Sequence, residues 1–286
     1  MNLPIRRRLR HVLARLVPER VKAPLRARLF GYRAPNADLP VAFASDHLGS
    51  FIVIAGRVRL RFRDEDQGDI RYYFVENGDS VEEMASFIAL AGAAETFFDV
   101  GAAKGLFSQV FCLLGADKRA IAFEPSATAN ADADVLANAN GCRSRIMMRP
   151  VAVGREAGAR PARRSPGGFV NVDAEESAGE AIDAVRLTSL DDEVRSLGFT
   201  PDLIKIDVEG YEYEVLLGAR RLLRERKPPI CLELHLDLLE RRGQSGERVL
   251  AELGAHGYRF QSCAGRPLSA AQIYGSMNAV LRFVAI

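Results

Sequence analysis

Two acids and two glycines follow apolar segments in the first half of the chain, where they could bind a ligand. Asp99, Gly101 and Gly105 lie between one apolar segment and a predicted helix over residues 106–114, and Glu124 ends the next apolar segment. Glycines at such a turn let the backbone approach a ligand closely, and the first amides of a helix are free hydrogen-bond donors. The pattern therefore indicates a strand, a tight turn and a helix that together form a binding site.

The spacing of these residues narrows the class of ligand. A dinucleotide fingerprint places three glycines around a pyrophosphate, whereas this turn has two glycines and carries Asp99, which would repel a pyrophosphate. An acid suits a cationic or hydroxyl-bearing ligand, and Glu124 stands where doubly wound folds hold ribose hydroxyls. The alternative interpretation is an ordinary strand-to-helix turn without a ligand.

Five motifs resemble those of the FkbM family of S-adenosylmethionine-dependent methyltransferases, over roughly residues 80–286. The most specific is Ile-Lys-Ile-Asp-Val-Glu-Gly (204–210), which has Glu212 behind it. Members usually carry Asn where this chain has Lys104. The other motifs are Asp-Val-Gly-Ala-Ala-Lys-Gly (99–105), Phe-Glu-Pro (123–125), Leu-Thr-Ser-Leu-Asp-Asp (187–192) and Ile-Cys-Leu-Glu-Leu-His (230–235).

The resemblance implies S-adenosylmethionine as the cofactor and O-methylation of a hydroxyl on a sugar, a glycolipid or a secondary metabolite. The acceptor is then a small molecule or a glycan. The residues expected to bind the cofactor are Asp99, Gly101, Gly105, Glu124, Pro125 and Asp207.

Methyl transfer to an alcohol needs a base, because neutral alcohols are poor nucleophiles. Asp207 and Glu209 close one predicted strand, Glu233 and His235 close the next, and alternation places Glu233 and His235 on the same side. The predicted catalytic residues are Glu233, His235 and Glu209; the alternatives for each are a helix cap, an ion pair or a core polar group. Although such a group can hold Mg²⁺, no ligand spacing requires it, and we predict no metal site.

Two other classes of function share parts of this pattern. A nicotinamide-dependent enzyme would also have an acid after the second strand, but the missing third glycine argues against it. A non-catalytic binding or scaffold protein could retain the fold without activity. The joint presence of the ligand-site acids and the acidic strand ends favours an enzyme.

The elements that must position these residues alternate between strands and helices. The pattern predicts a doubly wound parallel α/β sheet in which the last two strands pair antiparallel, and the resemblance implies a seven-stranded, Rossmann-like class I methyltransferase sheet within a domain over residues 91–286. The predicted strands lie near residues 96–100, 119–124, 146–153, 203–207, 229–235, 258–263 and 279–286.

Residues 34–90 are predicted to lead into this domain. After a loop over residues 34–50, the alternating segments 57–63 and 70–75 predict a β-hairpin whose arginine face is either solvated or a surface for an anionic substrate. Ser80 with Glu83 resembles a capping box, which predicts a helix up to about Leu90.

A later stretch, residues 154–183, has no clear periodicity and contains several Gly and Pro residues. A loop of this length inside a domain is usually functional or disordered, so it is either a substrate lid or a mobile excursion.

Residues 1–33 form a basic N-terminal segment, with ten Lys or Arg against the single acid Glu19, although the whole chain has a net charge of only +2. Residues 5–17 combine an apolar stripe with five arginines, which suits peripheral contact with an anionic membrane or packing on a protein surface. The arginine content gives no indication of a nucleic-acid partner, and the oligomeric state is left open. No apolar run approaches the length of about 20 residues that spans a bilayer.

The four cysteines stand far apart without a C-x-x-C pair. They predict buried free thiols in a reducing compartment, and hence a cytoplasmic protein, with association at the inner face of the membrane as the alternative location.

Overall fold

The computed structural model describes residues 39–164, 170–173, 180–274 and 280–286. The predicted amphipathic segment 5–17 lies outside these residues. Within the described residues, no helix is long and apolar enough to cross a membrane.

The described chain begins with a three-stranded antiparallel sheet in the order β1-β2-β3, formed by β1 (Val41–Asp46), β2 (Gly49–Ile54) and β3 (Val58–Arg61). A hairpin is therefore present, but the predicted pairing is wrong. Val58–Arg61 pairs with the segment before it, part of which was predicted to be loop, and residues 70–75 are helical. Packing explains the difference, because the buried Phe74 and the half-buried Tyr73 contact the rest of the core from a helical turn.

Two helices connect this sheet to the rest of the chain. A 3₁₀ turn (Asp64–Asp66) leads into α1 (Gln67–Arg71), which continues as a π-helical turn (Tyr72–Glu76), and α2 (Gly78–Ala91) follows. The predicted helix at residues 80–90 is thus present, but it begins earlier and is preceded by Asn77, whose side chain makes no capping bond.

The remainder alternates strands and helices as predicted, except between residues 146 and 188, where five strands follow one another in the described residues. The further strands are β4 (Thr96–Val100), β5 (Arg119–Phe123), β6 (Ile146–Arg149), β7 (Ala152–Val153), β8 (Gly158–Arg164), β9 (Val170–Val172), β10 (Glu180–Thr188), β11 (Leu203–Ile206), β12 (Ile230–His235), β13 (Phe260–Ser262), β14 (Pro267–Leu268) and β15 (Val280–Ala285). The further helices are α3 (Leu106–Leu113), α4 (Ala127–Ala139), α5 (Leu190–Leu197), α6 (Glu212–Leu217), α7 (Arg220–Glu225), α8 (Leu236–Arg241), α9 (Gly246–Ala255) and α10 (Ala270–Tyr274), with a 3₁₀ turn at Arg143–Arg145.

The central sheet has the order β14-β13-β15-β12-β11-β4-β5-β6 in the described residues. Strands β12, β11, β4, β5 and β6 are parallel, and β15 runs antiparallel to both β12 and β13, as predicted for the last strand. The two-residue strand β14 makes the sheet one strand wider than the predicted seven. The parallel order brings the carboxyl ends of β4, β5, β11 and β12 to one edge of the sheet.

Side chains that alternate along the strands separate two hydrophobic clusters. Phe98 belongs to one cluster and Phe97 to the other, together with Phe87 of α2 and Phe111 of α3. The second cluster also contains Ile52 and other buried residues of the first sheet. The N-terminal elements and one face of the central sheet therefore share this second cluster.

The predicted long loop is wrong over much of its length, because residues 154–183 contain strands. β8 and β9 pair with each other, and β8 pairs with β10, in a second sheet of order β7-β10-β8-β9. Small and β-branched residues at its buried positions, such as Ala162, Val172 and Val185, form their own cluster, which the sequence periodicity did not reveal.

Candidate active site

A cavity of about 610 Å³ lies at the carboxyl ends of the parallel strands. Its walls come from the loop after β4, the segment after β5, the turn after β11, residues of β9 and part of the N-terminal elements. This volume is typical of a ligand site. Of the predicted cofactor residues, Gly101, Glu124, Pro125 and Asp207 line it, whereas Asp99 and Gly105 do not.

The first turn of this site depends on Gly101. Its φ of 82° lies in the left-handed region, and a Cβ atom there would overlap the carbonyl oxygen of Asp207. The backbone amides of Gly101 and Ala102 both donate to Phe123 O, at 3.0 Å each. These contacts join the ends of three neighbouring strands.

Asp99 supports this turn from inside the protein. Its carboxylate accepts hydrogen bonds from Ser108 N (3.0 Å) and Ser108 Oγ (2.8 Å), and only 1% of its surface is exposed. Burial raises the pKa of Asp99 to about 6. The placement does not support the predicted direct contact with the cofactor; Asp99 instead fixes the start of α3.

Glu124 lies at the cavity wall, where it is fixed by backbone donors. One oxygen accepts from Ala103 N (3.0 Å) and the other from Ser126 N (2.8 Å). Burial raises its pKa, although both hydrogen bonds oppose the shift. Because a carboxylate has about four lone-pair sites, Glu124 retains acceptor capacity towards a ligand.

Lys104 connects this turn to the N-terminal elements. Its Nζ donates to Asp66 Oδ1 at 2.6 Å, and Lys104, Asp66 and Tyr73 all line the cavity. The residue that departs from the family pattern therefore holds one cavity wall against another.

A buried charge network lies beneath the carboxyl ends of β11 and β12. Lys205 Nζ is 2.9 Å from Glu83 and 3.3 Å from Asp207, and Arg282 is 2.6 Å from Glu233 and 3.1 Å from Glu83. Burial opposes the charge on Lys205, but the neighbouring acids outweigh it and hold its pKa well above the usual value. The capping role predicted for Glu83 is wrong, because this carboxylate is used by the network.

Sequence reasoning missed Glu83, Lys205 and Arg282. The available signal was Lys205 itself, a charged residue between two Ile residues of a predicted strand. A charge at such a position needs a buried partner.

Glu233 and His235 lie on the same side of β12, as predicted. His235 Nδ1 is 2.9 Å from Glu212 Oε1, while His235 Nε2 is 3.7–3.8 Å from carboxylate oxygens of Asp207, Glu209 and Glu233. Burial opposes a charge on His235, but the hydrogen bond with Glu212 and the nearby acids outweigh it and raise its pKa to about 10. The surrounding acids therefore favour the protonated form of the imidazole.

The two carboxylates among the predicted catalytic residues differ in their surroundings. Glu209 lines the cavity, its side chain is 31% exposed, and its φ of 52° is uncommon for a residue with a side chain. Glu233 pairs with Arg282 and is not among the cavity-lining residues. Burial raises the pKa of both, that of Glu233 to about 8.

Asp207, Glu233 and His235 each have one possible metal-ligand atom, and these three atoms lie within 4.8 Å of one another, a spacing that a divalent cation can bridge. Lys205 and Arg282 already supply positive charge to two of these groups. We assign no metal to this position.

Comparison with protein families identifies a methyltransferase FkbM domain over residues 99–260, more than half of the chain. No curated protein matches. Among solved structures, a methyltransferase FkbM from Methylobacillus flagellatus is 19% identical, with a TM-score of 0.43; the match covers 67% of this chain and 43% of that one, so this chain spans less than half of that relative.

Two further solved structures are similarly distant. The O-methyltransferase from Bacillus cereus in complex with SAH is 9% identical over the whole of both chains, with a TM-score of 0.40. Fibrillarin from Aeropyrum pernix with bound S-adenosyl-L-methionine is 12% identical over 71% of this chain and 74% of that one, with a TM-score of 0.42. Since the FkbM domain accounts for more than half of the sequence, the chain belongs to the FkbM family of S-adenosylmethionine-dependent methyltransferases.

Proposed function

We propose that this protein transfers a methyl group from S-adenosylmethionine to a hydroxyl oxygen of a sugar, a glycolipid or another small hydroxyl compound. The observation that carries the proposal is the shared cavity, which has Gly101 and Glu124 in one part of its lining and Asp207 and Glu209 in another. Groups suited to a nucleoside and groups suited to a hydroxyl thus face the same space.

The cofactor-binding part fits S-adenosylmethionine by its chemistry. Glu124 offers free lone pairs to ribose hydroxyls, Pro125 lines the adjacent wall, and Gly101 leaves room for the methionine part beside the backbone. Asp99 and Gly105 act indirectly, since Asp99 fixes the start of α3 and Gly105 (φ 72°) immediately precedes it. When bound, the cofactor supplies the methyl group.

Glu209 is the base in this proposal. It is the predicted catalytic residue that lines the cavity, and its raised pKa makes it a better proton acceptor than an ordinary glutamate. Glu209 would accept the hydroxyl proton as the hydroxyl oxygen takes the methyl group, and the methyl–sulfur bond would break to leave S-adenosylhomocysteine. His235, whose raised pKa favours the protonated form, and Glu233, which pairs with Arg282, orient the surrounding carboxylates rather than accept this proton.

The lining also limits the acceptor. Val170, Val172 and Tyr211 supply an apolar wall, while Asp207 and Glu209 supply negative charge. Among the described residues of the lining there are three cations, and each pairs with an acid: Arg61 with Asp46, Lys104 with Asp66 and Lys205 with Glu83. An uncharged, hydroxyl-bearing acceptor fits these walls better than a phosphate or a carboxylate does.

The test has a binding arm and a transfer arm. Isothermal calorimetry should detect S-adenosylhomocysteine but not NAD. With isotope-labelled S-adenosylmethionine, the enzyme should then label a compound in an extract of cells that lack the gene, and mass spectrometry should locate the methyl group on oxygen. Binding of NAD alone would refute the cofactor assignment. Labelled nitrogen or carbon would refute O-methylation, and binding without transfer to any extract would favour the scaffold interpretation.

A further inference from the structure

Glu212 is a fully buried carboxylate behind the cavity, with 0% of its surface exposed. It opens α6, and its Oε1 accepts a hydrogen bond from Gly210 N at 3.0 Å and lies 2.9 Å from His235 Nδ1. Its Oε2 has no hydrogen-bond partner among the described residues. A buried carboxylate with so few donors is costly unless a positive charge accompanies it.

His235 supplies that charge. Nδ1 of His235 donates a hydrogen bond to Glu212, and Nε2 faces the acids around the ring. Asp207 and Glu209 face it from the turn after β11, and Glu233 faces it from its own strand. Lys205, Arg282 and Glu83 form the next layer from β11, β15 and α2. The ring is therefore surrounded by acids, and the two cations lie beyond them.

Glu212 reaches Glu209 by two routes. Through Gly210 N it fixes the backbone turn that holds Glu209 at a φ of 52°. Through His235 it places ring Nε2 3.7 Å from Glu209 Oε2. An uncommon backbone conformation persists only where its surroundings impose it, and one oxygen of Glu212 contributes to both restraints.

We propose that Glu212 is a positioning residue for methyl transfer: it keeps His235 doubly protonated, and the pair holds the turn and the carboxylate of Glu209 in place at the cavity. This inference rests on the proposed function, because it takes Glu209 as the base. The competing explanation is structural only, an acid in the first turn of α6 that stabilises the helix.

The protonation state of His235 can be measured without an acceptor. The chain has four histidines, so NMR of protein labelled in the histidine rings gives few signals, which His→Gln variants of each position assign. We expect His235 to remain doubly protonated at neutral pH and to lose its proton far above the range of an ordinary histidine. In Glu212→Gln, the titration should fall by at least about one pH unit, because burial remains while the anion is removed.

Glu214→Gln is the matched control. Glu214 lies on the same helix and pairs with Arg155 at the surface, so the His235 titration should not change. A neutral His235 at pH 7 in the parent protein, or an unchanged titration in Glu212→Gln, would overturn the proposal. If Glu212→Gln does not fold, Glu212→Asp replaces it, because it keeps the charge but shortens the side chain. In Glu212→Asp, His235 should still lose its proton far above the range of an ordinary histidine, and only kcat should change.

Kinetics then separate a positioning role from a purely structural one. Glu212→Gln should lower kcat at least tenfold and shift the pH–rate profile, while the affinity for S-adenosylhomocysteine stays within about twofold. Equal loss of affinity and kcat, with an unshifted profile, would mean a structural role. If the parent enzyme methylates no hydroxyl, the proposed function fails whatever the NMR shows; if it does methylate and His235 titrates identically in both proteins, this inference alone fails.

Discussion

Gly101 lies against the backbone carbonyl of Asp207 so closely that no side chain can be placed between them. The contact joins the turn after β4 to the turn after β11, that is, the residues proposed to bind the cofactor to those proposed to act in catalysis. The geometry of each turn thus depends on the other.

Gly101→Ala should therefore abolish binding of S-adenosylhomocysteine, because the new methyl group must displace the Asp207 backbone. Gly105→Ala is the control. Gly105 is also left-handed (φ 72°), but a Cβ atom there would lie 3.5 Å from Ala133 Cβ, an ordinary contact. It should cost only the backbone strain, about 1–2 kcal/mol of unfolding free energy. Calorimetry and thermal unfolding measure both; equal effects of the two substitutions would contradict the role given to Gly101.

Glu124→Ala should weaken binding of S-adenosylhomocysteine by about 1–3 kcal/mol, the scale of lost hydrogen bonds at a buried polar site. Calorimetry with circular dichroism as a folding check tests this. Glu225→Ala, at an exposed position of α7, is the control and should bind as the parent does. An unchanged affinity in folded Glu124→Ala would remove the ribose assignment.

Glu209→Gln should lower kcat by about two to four orders of magnitude with little change in cofactor affinity, because it keeps size and removes basicity. Glu233→Gln should lower it less, since Glu233 does not line the cavity. In the parent, the rate should fall as the pH drops through the pKa of Glu209, which lies above that of an ordinary glutamate. A smaller loss in Glu209→Gln than in Glu233→Gln would reverse the assignment.

The unfolding free energy should fall as the pH rises from about 6.5 to about 10. His235 has a pKa raised to about 10 in the folded protein, so the folded state binds more protons than the unfolded state over this range. The stabilising contribution is complete below about pH 6.5 and lost above pH 10. Burial also raises the pKa of Glu233, to about 8, which adds a decline between about pH 4.5 and 8. Urea unfolding at several pH values checks this, and Glu212→Gln should flatten the alkaline part of the curve.

The basic segment 5–17 suits either contact with an anionic membrane, where each cationic residue can add about 1 kcal/mol of attraction, or packing on a protein surface. The membrane alternative makes the following prediction. Liposome flotation should recover the full chain at low salt and less of it at high salt. A variant that starts at Ala34 is the control and should not float. Equal behaviour of the two chains would show that the segment packs on a protein surface instead.

The central sheet could be predicted from sequence because its strands are short apolar runs that end in Gly or acidic residues, as at Gly101 and Glu124. The second sheet could not, because β8 carries arginines on a mostly exposed strand whose single buried residue is Ala162. Residues 70–75 were wrongly predicted to be a strand for a different reason. Their β-branched and aromatic composition favours a strand, but burial of Phe74 selects a helical turn.

The candidate site was predicted in part. Strand ends placed Glu124, Asp207 and Glu233 at one edge without any knowledge of packing. The charges that accompany them come from Glu83 and Arg282, whose partners are set by tertiary contacts between segments far apart in sequence. No local pattern can reveal such a pair.

The Arg282–Glu83 contact joins residues 199 positions apart, and Arg282 lies on β15, the last described strand. Because a chain is synthesised from its N-terminus, Glu83, Asp207 and Glu233 are all present before Arg282 emerges. Until then, the positive charge beside these acids comes from Lys205 and from the imidazole of His235. The charge balance of the site is thus completed only after β15 has been synthesised, which ties assembly of the proposed methyl-transfer centre to insertion of β15 between β12 and β13.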